Sequence, residues 1–239
     1  MTNRLVLLRH GESLWNKENR ICGWADVDLS ERGIAEAREI GRILKKRGFV
    51  FDIAFTSMLR RAIKTAWFTL DEMDLYWIPI IKSWRLNERH YGELEGLAKS
   101  ELAKKFGIDR LWGKQNVPPP ALRDDDRRHP RNDPRYRDLR EDELPSAESR
   151  DDVLKRILPY WHEVIRPRVE SGEQTLIVTH GDVIRTLAMY ISSASDEKIP
   201  NTTVIPTGTA IVYEFDDRMN PARQYNLDRN MSRIIAIDQ

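Results

Sequence analysis

The chain has one cysteine, Cys22, in 239 residues. A single thiol excludes an internal disulfide and a cysteine-based metal cluster. No apolar run approaches the roughly 20 residues of a membrane span. An excess of one charge is also missing: 39 Lys plus Arg stand against 38 Asp plus Glu, a net charge of +1. Bulk attraction to nucleic acid or to a membrane surface is therefore not expected, and any anion site must be local. No Gly-x-x-x-x-Gly-Lys-Ser/Thr loop is present, which excludes a P-loop nucleotide site. Met1 to Arg4 enters the first apolar stretch at once and leaves no room for a signal peptide, so a cytoplasmic location is expected. With no internal repeat and no long linker, the length and the 40% hydrophobic share fit one domain over 1–239, with an insertion at 98–148 and a tail at 216–239.

What is present reads as α/β: a mostly parallel central sheet flanked by helices, with a polar insertion forming a flap. Leu5 to Leu8 is a short buried strand. Ser30 is a good N-cap for a helix whose apolar positions Ile34, Ala37, Ile40, Gly41 and Leu44 share a face, with Gly48 as its stop. Phe49 to Phe55 predicts a second strand and Met58 to Leu70 a second helix. Leu75 to Ile81 predicts a strand that Pro79 confines to an edge or a break. Residues 98–148 carry Pro118-Pro119-Pro120 and the run Arg123 to Arg128, too polar for a core, so a flap or a solvated excursion is expected there. Ser149 and Asp152 open a helix that Pro159 kinks or ends. Gln174 to Thr179 is a buried strand, Asp182 can cap the helix Val183 to Ile191, and Thr209 to Phe215 is the last clear strand.

Two histidines stand in the same context. His10-Gly11 and His180-Gly181 each follow an apolar strand and precede a turn. The βαβ alternation makes those strands parallel, so both histidines can emerge on one sheet edge, where open α/β sheets bind ligands. Arg9 and Arg61 sit at equivalent strand-to-helix transitions. Two histidines, two arginines and helix N-termini suit a phosphoryl group. A histidine-bound metal is the rival reading, but the arginines would repel the cation and no third ligand is evident. Isolated loop histidines more often cap or pack, so the pairing carries this argument. Among the others, His129 is expected in solvent and His162 at a surface.

Arg9-His10-Gly11-Glu12-Ser13, Trp15-Asn16, Cys22-Gly23-Trp24, Thr56-Ser57 with Arg61-Ala62, and Glu88-Arg89-His90-Tyr91-Gly92 resemble the 2,3-bisphosphoglycerate-dependent phosphoglycerate mutases of the histidine phosphatase superfamily. The likeness runs from about Leu5 to Phe215. It implies that His10 is the nucleophile and becomes phosphohistidine, attacking as neutral imidazole. Arg9, Arg61 and His180 would surround the moving phosphoryl group. Glu88 would be the acid/base. Gly11, Glu12, Ser13, Asn16, Cys22, Gly23, Gly181 and Asp182 would line the pocket, His90 and Lys114 would add to it, and Arg89, Tyr91 and Lys99 would hold the substrate's carboxylate and distal groups. His90 taken alone reads as structural.

The implied activity is interconversion of 3- and 2-phosphoglycerate, with 2,3-bisphosphoglycerate as primer and no metal. A homodimer is implied too, in keeping with the apolar edge Trp77 to Ile81. The alternative is a phosphatase of the same superfamily acting on a small phosphorylated metabolite. Three departures favour that alternative. Trp112 to Val117 replaces the usual Arg-Arg pair before the Pro run, Ala98 replaces an Asn, and Asp182 replaces the Asn after the second His-Gly. A carboxylate at 182 would repel phosphate by on the order of 1 kcal/mol unless turned away or paired.

Overall fold

A computed structural model describes residues 3–106, 117–192 and 205–227. Strand β1 (Asn3–Arg9) is buried on both faces, which explains its unbroken apolar run. Leu5 and Leu7 pack on one side with Val183, Ile184 and Trp161; Val6 and Leu8 pack on the other with Ile40, Leu44 and Leu70. The remaining strands are β2 (Ile53–Thr56), β3 (Ile80–Lys82), β4 (Thr175–Thr179), β5 (Ala210–Phe215) and β6 (Pro221–Leu227). Their order across the sheet is β3-β2-β4-β1-β5-β6. The first four are mutually parallel; β5 is antiparallel to β1, and β6 to β5.

The helices are α1 (Leu14–Lys17), α2 (Glu31–Lys46), α3 (Arg60–Glu72), α4 (Lys99–Phe106), α5 (Arg150–Tyr160), α6 (Arg166–Glu170) and α7 (Gly181–Ser192). Ser30 caps α2 by accepting from the Gly33 amide at 3.1 Å. A Cβ on Gly41 would lie 2.5 Å from the Thr69 carbonyl, so that glycine lets α2 and α3 touch. After Pro159 the chain makes a π-helical turn, Trp161–Ile165, before α6. The missing proline donor thus loosens the helix into a wider turn without ending it. None of the described helices is long and apolar enough to cross a membrane.

Several expectations need correction. The stretch 75–81 is a strand only at its end: Pro79 confines β3 to Ile80–Lys82, at the sheet edge. Before it, Leu75 and Ile78 are buried in a turn while Tyr76 and Trp77 are 73% and 72% exposed. The tail contributes β6, which sequence reading missed. The polar segment is not merely a solvated excursion. Leu122, His129, Pro130 and Tyr136 are buried in it, and Tyr136 packs 4.9 Å from the Trp24 ring while its hydroxyl accepts from Asn87 at 2.9 Å. It covers the loop that leads to Glu88.

Candidate active site

The sheet itself brings the two histidines together. Arg9 pairs with Thr179 in the β1–β4 register, so the next residue on each strand is a histidine at the same edge. The His10 amide donates to the Thr179 carbonyl at 2.9 Å, and the two imidazole centroids lie 4.9 Å apart. Strand β2 flanks β4 on its other side and ends beside Ser57, whose hydroxyl is 2.8 Å from His180 Nε2.

His10 Nδ1 lies 2.7 Å from the Gly11 carbonyl. A carbonyl only accepts, so Nδ1 carries the ring proton and Nε2 keeps its lone pair. Burial, then the charges of Arg61 and Arg9, hold the His10 pKa well below the usual histidine value. The same causes, burial and Arg61 foremost, hold His180 low. Both rings are therefore neutral at pH 7. His180 Nδ1 is buried without a partner among the described residues, as are the Nε atoms of Arg9 and Arg61. The Arg9 and Arg61 charges and the two rings make one cup with unspent polar groups.

Arg61 is fully buried at the start of α3. Its terminal nitrogens donate to the carbonyls of Gly23 at 2.7 Å and Ala25 at 2.9 Å, tying the 22–25 loop to the cup. Gly23 has φ +53°, and a Cβ there would overlap the Glu95 carboxylate. Gly11 has no room for a Cβ either, which would sit 2.2 Å from the Gly33 carbonyl. Arg9 is fixed by the Ile205 carbonyl.

Glu88 is buried in the loop before α4. Its Oε1 accepts from the amides of Arg89 at 3.0 Å and Asp182 at 3.2 Å. Burial and then the charge of Asp182 raise its pKa, against the opposing pull of the Arg89 amide, Arg9 and Arg61. The bond to the Asp182 amide sets the carboxyl two residues along the chain from His180.

Asp182 does not cap α7; its carboxylate turns to other partners. Oδ2 accepts from Arg89 Nε at 3.0 Å and from the Tyr91 hydroxyl at 2.7 Å. Oδ1 accepts from Arg185 and lies 3.6 Å from Arg150. Arg89 and Tyr91, expected to grip a substrate carboxylate, grip this one.

The other expected pocket residues divide. Ser13, Asn16 and Cys22 form one cluster: Ser13 Oγ accepts from the Asn16 amide at 3.1 Å and lies 3.4 Å from Cys22 Sγ. Lys99, at the head of α4, has its pKa lowered by burial and then by the charge of Arg9. Glu12 turns toward α2, accepting from Ser30 at 2.8 Å, with Arg32 at 3.6 Å. His90 faces the interior. Its Nδ1 accepts from the Gly92 amide at 3.0 Å, and its ring lies 5.4 Å from Trp24. Burial, with His129 and nearby arginines, lowers its pKa to about 3. The Glu12 carboxylate is thus engaged by Ser30 and Arg32, whereas His90 Nε2 is buried without a partner among the described residues. Lys114 lies outside the described residues. His129, expected in solvent, is 3% exposed. Among the described residues no group of three His, Cys, Asp or Glu is placed to hold a metal ion.

Sequence reading missed Arg156 altogether. It projects from the buried face of α5 and donates to the backbone carbonyls of Asn87 at 2.8 Å and Glu88 at 3.0 Å and, through Nε, to Glu148 at 2.6 Å. The signal was an arginine sharing a helix face with Val153 and Ile157. Arg185, three residues after Asp182, carried a similar signal of helical spacing.

Among solved structures, the chain resembles YhfR of Bacillus stearothermophilus at 27% identity, with a TM-score of 0.64 and 89% of this chain and 91% of that one covered. A mycobacterial glucosyl-3-phosphoglycerate phosphatase shares the fold at 22% identity and TM-score 0.66, covering 93% and 96%. A structure titled mycobacterial hydrolase 2 does so at 24% identity and TM-score 0.66, covering 90% and 84%. The likeness to phosphoglycerate mutases is thereby narrowed to the superfamily. The model of the histidine phosphatase superfamily (branch 1) matches residues 5–126 and 120–228, and the chain belongs to that superfamily.

Proposed function

We propose that this chain is a phosphatase of small phosphorylated metabolites, working through a phosphohistidine at His10. The observation that carries this reading is the neutral His10 imidazole, with Nε2 free, 4.9 Å from His180 in a cup walled by Arg9 and Arg61. In the first step Nε2 attacks phosphorus as the ester P–O bond breaks, and Glu88 gives its proton to the departing oxygen. In the second, water attacks phosphohistidine, Glu88 takes the water's proton, the P–N bond breaks and phosphate leaves. Arg9 and Arg61 offset the charge on the phosphoryl oxygens. Ser57 can donate its hydroxyl proton to His180 Nε2, which leaves a proton on Nδ1 for a phosphoryl oxygen.

A second reading, the primed mutase, is favoured by Glu88-Arg89-His90-Tyr91-Gly92 and by Ser13. It needs Arg89 and Tyr91 to hold the substrate's carboxylate, and both are engaged by Asp182. The two readings separate in one assay, with 3-phosphoglycerate and other phosphomonoesters, with and without 2,3-bisphosphoglycerate. Phosphate release without primer supports the phosphatase. Isomerisation that depends on primer supports the mutase and overturns the first reading. We also take the chain to be a homodimer, because Tyr76 and Trp77 stand exposed beside the β3 edge; a monomeric mass by light scattering would contradict this.

A further inference from the structure

Asp182 stands where the resemblance to phosphoglycerate mutases expects an asparagine, and a carboxylate beside a phosphate site needs an explanation. Its backbone amide donates to Glu88 Oε1 at 3.2 Å. Its carboxylate is encircled by four side chains from three elements: Arg89 and Tyr91 on the Glu88 loop, Arg185 on its own helix, and Arg150 at the head of α5. Burial works against a charge on Asp182, yet Arg89 and Arg185, with the Tyr91 hydrogen bond and Arg150, hold its carboxyl below the usual range. Among the described residues, no arginine pairs directly with the Glu88 carboxyl. Its carboxyl accepts two backbone amides, and its charged neighbours are Asp182 on α7, Arg89 beside it, Arg9 on β1 and Arg61 on α3. Arg156 from α5 holds only the Glu88 carbonyl, and the Tyr91 hydroxyl goes to Asp182. Two carboxyl groups thus share one buried site, and among the described residues only Asp182 is ion-paired with arginines.

We propose that Asp182 is a positioning residue for Glu88: its amide fixes one carboxyl oxygen, and its anchored negative charge keeps on Glu88 the proton that the leaving oxygen takes. This rests on Glu88 acting as the general acid. The proton leaves Glu88 as the ester P–O bond breaks, and the attacking water returns one in the second step. Asp182 does not touch the reacting atoms and stays ionised throughout.

Carboxyl-carbon NMR titration of the resting enzyme tests this, with the Glu88 signal assigned by its loss in Glu88→Gln. Asp182→Asn keeps the shape and removes the charge. Glu88 should then titrate about one pH unit lower, and the alkaline limb of phosphoenzyme formation should move with it. Arg185→Gln should move Glu88 the other way, and it reads the same coupling if Asp182→Asn fails to fold. A Glu88 titration unmoved in both variants, or moved in the opposite sense, overturns the proposal. A purely structural Asp182 would lower the rate at every pH without moving the limb. If Glu88 titrates as expected but the wild-type chain forms no phosphoenzyme, the phosphatase reading fails while the coupling stands.

Discussion

Replacing Arg61 with methionine separates two jobs that one side chain performs. The buried guanidinium ties down the Gly23 and Ala25 carbonyls. Methionine fills similar space but leaves those acceptors unmatched, at about 1–3 kcal/mol each, so a loss of about 2–6 kcal/mol in urea unfolding is expected. A domain of ordinary stability survives that. The charge is the second job. After burial, it is the leading cause of the low His10 and His180 pKa values, so its removal lets both rings hold protons more readily. The acid limb of phosphoenzyme formation, where His10 protonates and stops attacking, should therefore move to higher pH. Loss of one preorganised cation should also slow phosphoryl transfer by about 10²–10³-fold. Rapid-quench labelling across pH reads both effects. Arg61→Lys keeps the charge but not the fork: its limb should stay near the wild-type position while its rate falls. A methionine variant that labels at the wild-type rate with an unmoved limb would refute this account of the cup.

Stability should also depend on pH through the buried histidines. His10, His90 and His180 have lowered folded-state pKa values, so the unfolded chain binds their protons first. Stability is then complete above the unfolded value of about 6.5 and falls as pH drops below it, by up to about 1.4 kcal/mol per pH unit for each ring. Urea unfolding between pH 7 and 5 should show this slope, and His90→Gln should flatten it by one ring's share; an unchanged slope would contradict His90 being held neutral. Arg156→Met leaves the Glu148 carboxylate buried without its guanidinium, at about 3–5 kcal/mol. Thermal unfolding should fall accordingly, and a wild-type midpoint would contradict the role given to that pair.

What could be read from the sequence follows from where each residue's partners lie. Strands β1 and β4 are legible because both faces are buried and the apolar run is continuous. The His-Gly sequel to each shows the shared edge once parallel pairing is assumed. Strand β6 was hidden because it is an edge strand with exposed Ala222 and Arg223 and only Leu227 buried, which reads as tail. The apolar stretch 75–81 misled because Trp77 and Tyr76 are exposed while Leu75 and Ile78 fill a turn. Arg9, His10, Arg61, Glu88 and His180 were all named from sequence, and the described geometry places them about one cup. The turning of Arg89 and Tyr91 to Asp182 was not legible: those contacts span 93 and 91 residues of chain, and no local pattern encodes them. Glu12 and His90 were assigned to the pocket by motif membership alone, and motif membership did not show that Glu12 turns to Ser30 or that His90 Nδ1 takes the Gly92 amide.

The most direct test of the central claim is to trap the covalent intermediate. Wild-type protein mixed with a phosphomonoester, quenched under alkaline conditions and digested, should carry one phosphoryl group on the peptide containing His10, acid-labile as a phosphoramidate is. No adduct, an adduct on another residue, or labelling that persists in His10→Ala would contradict the claim.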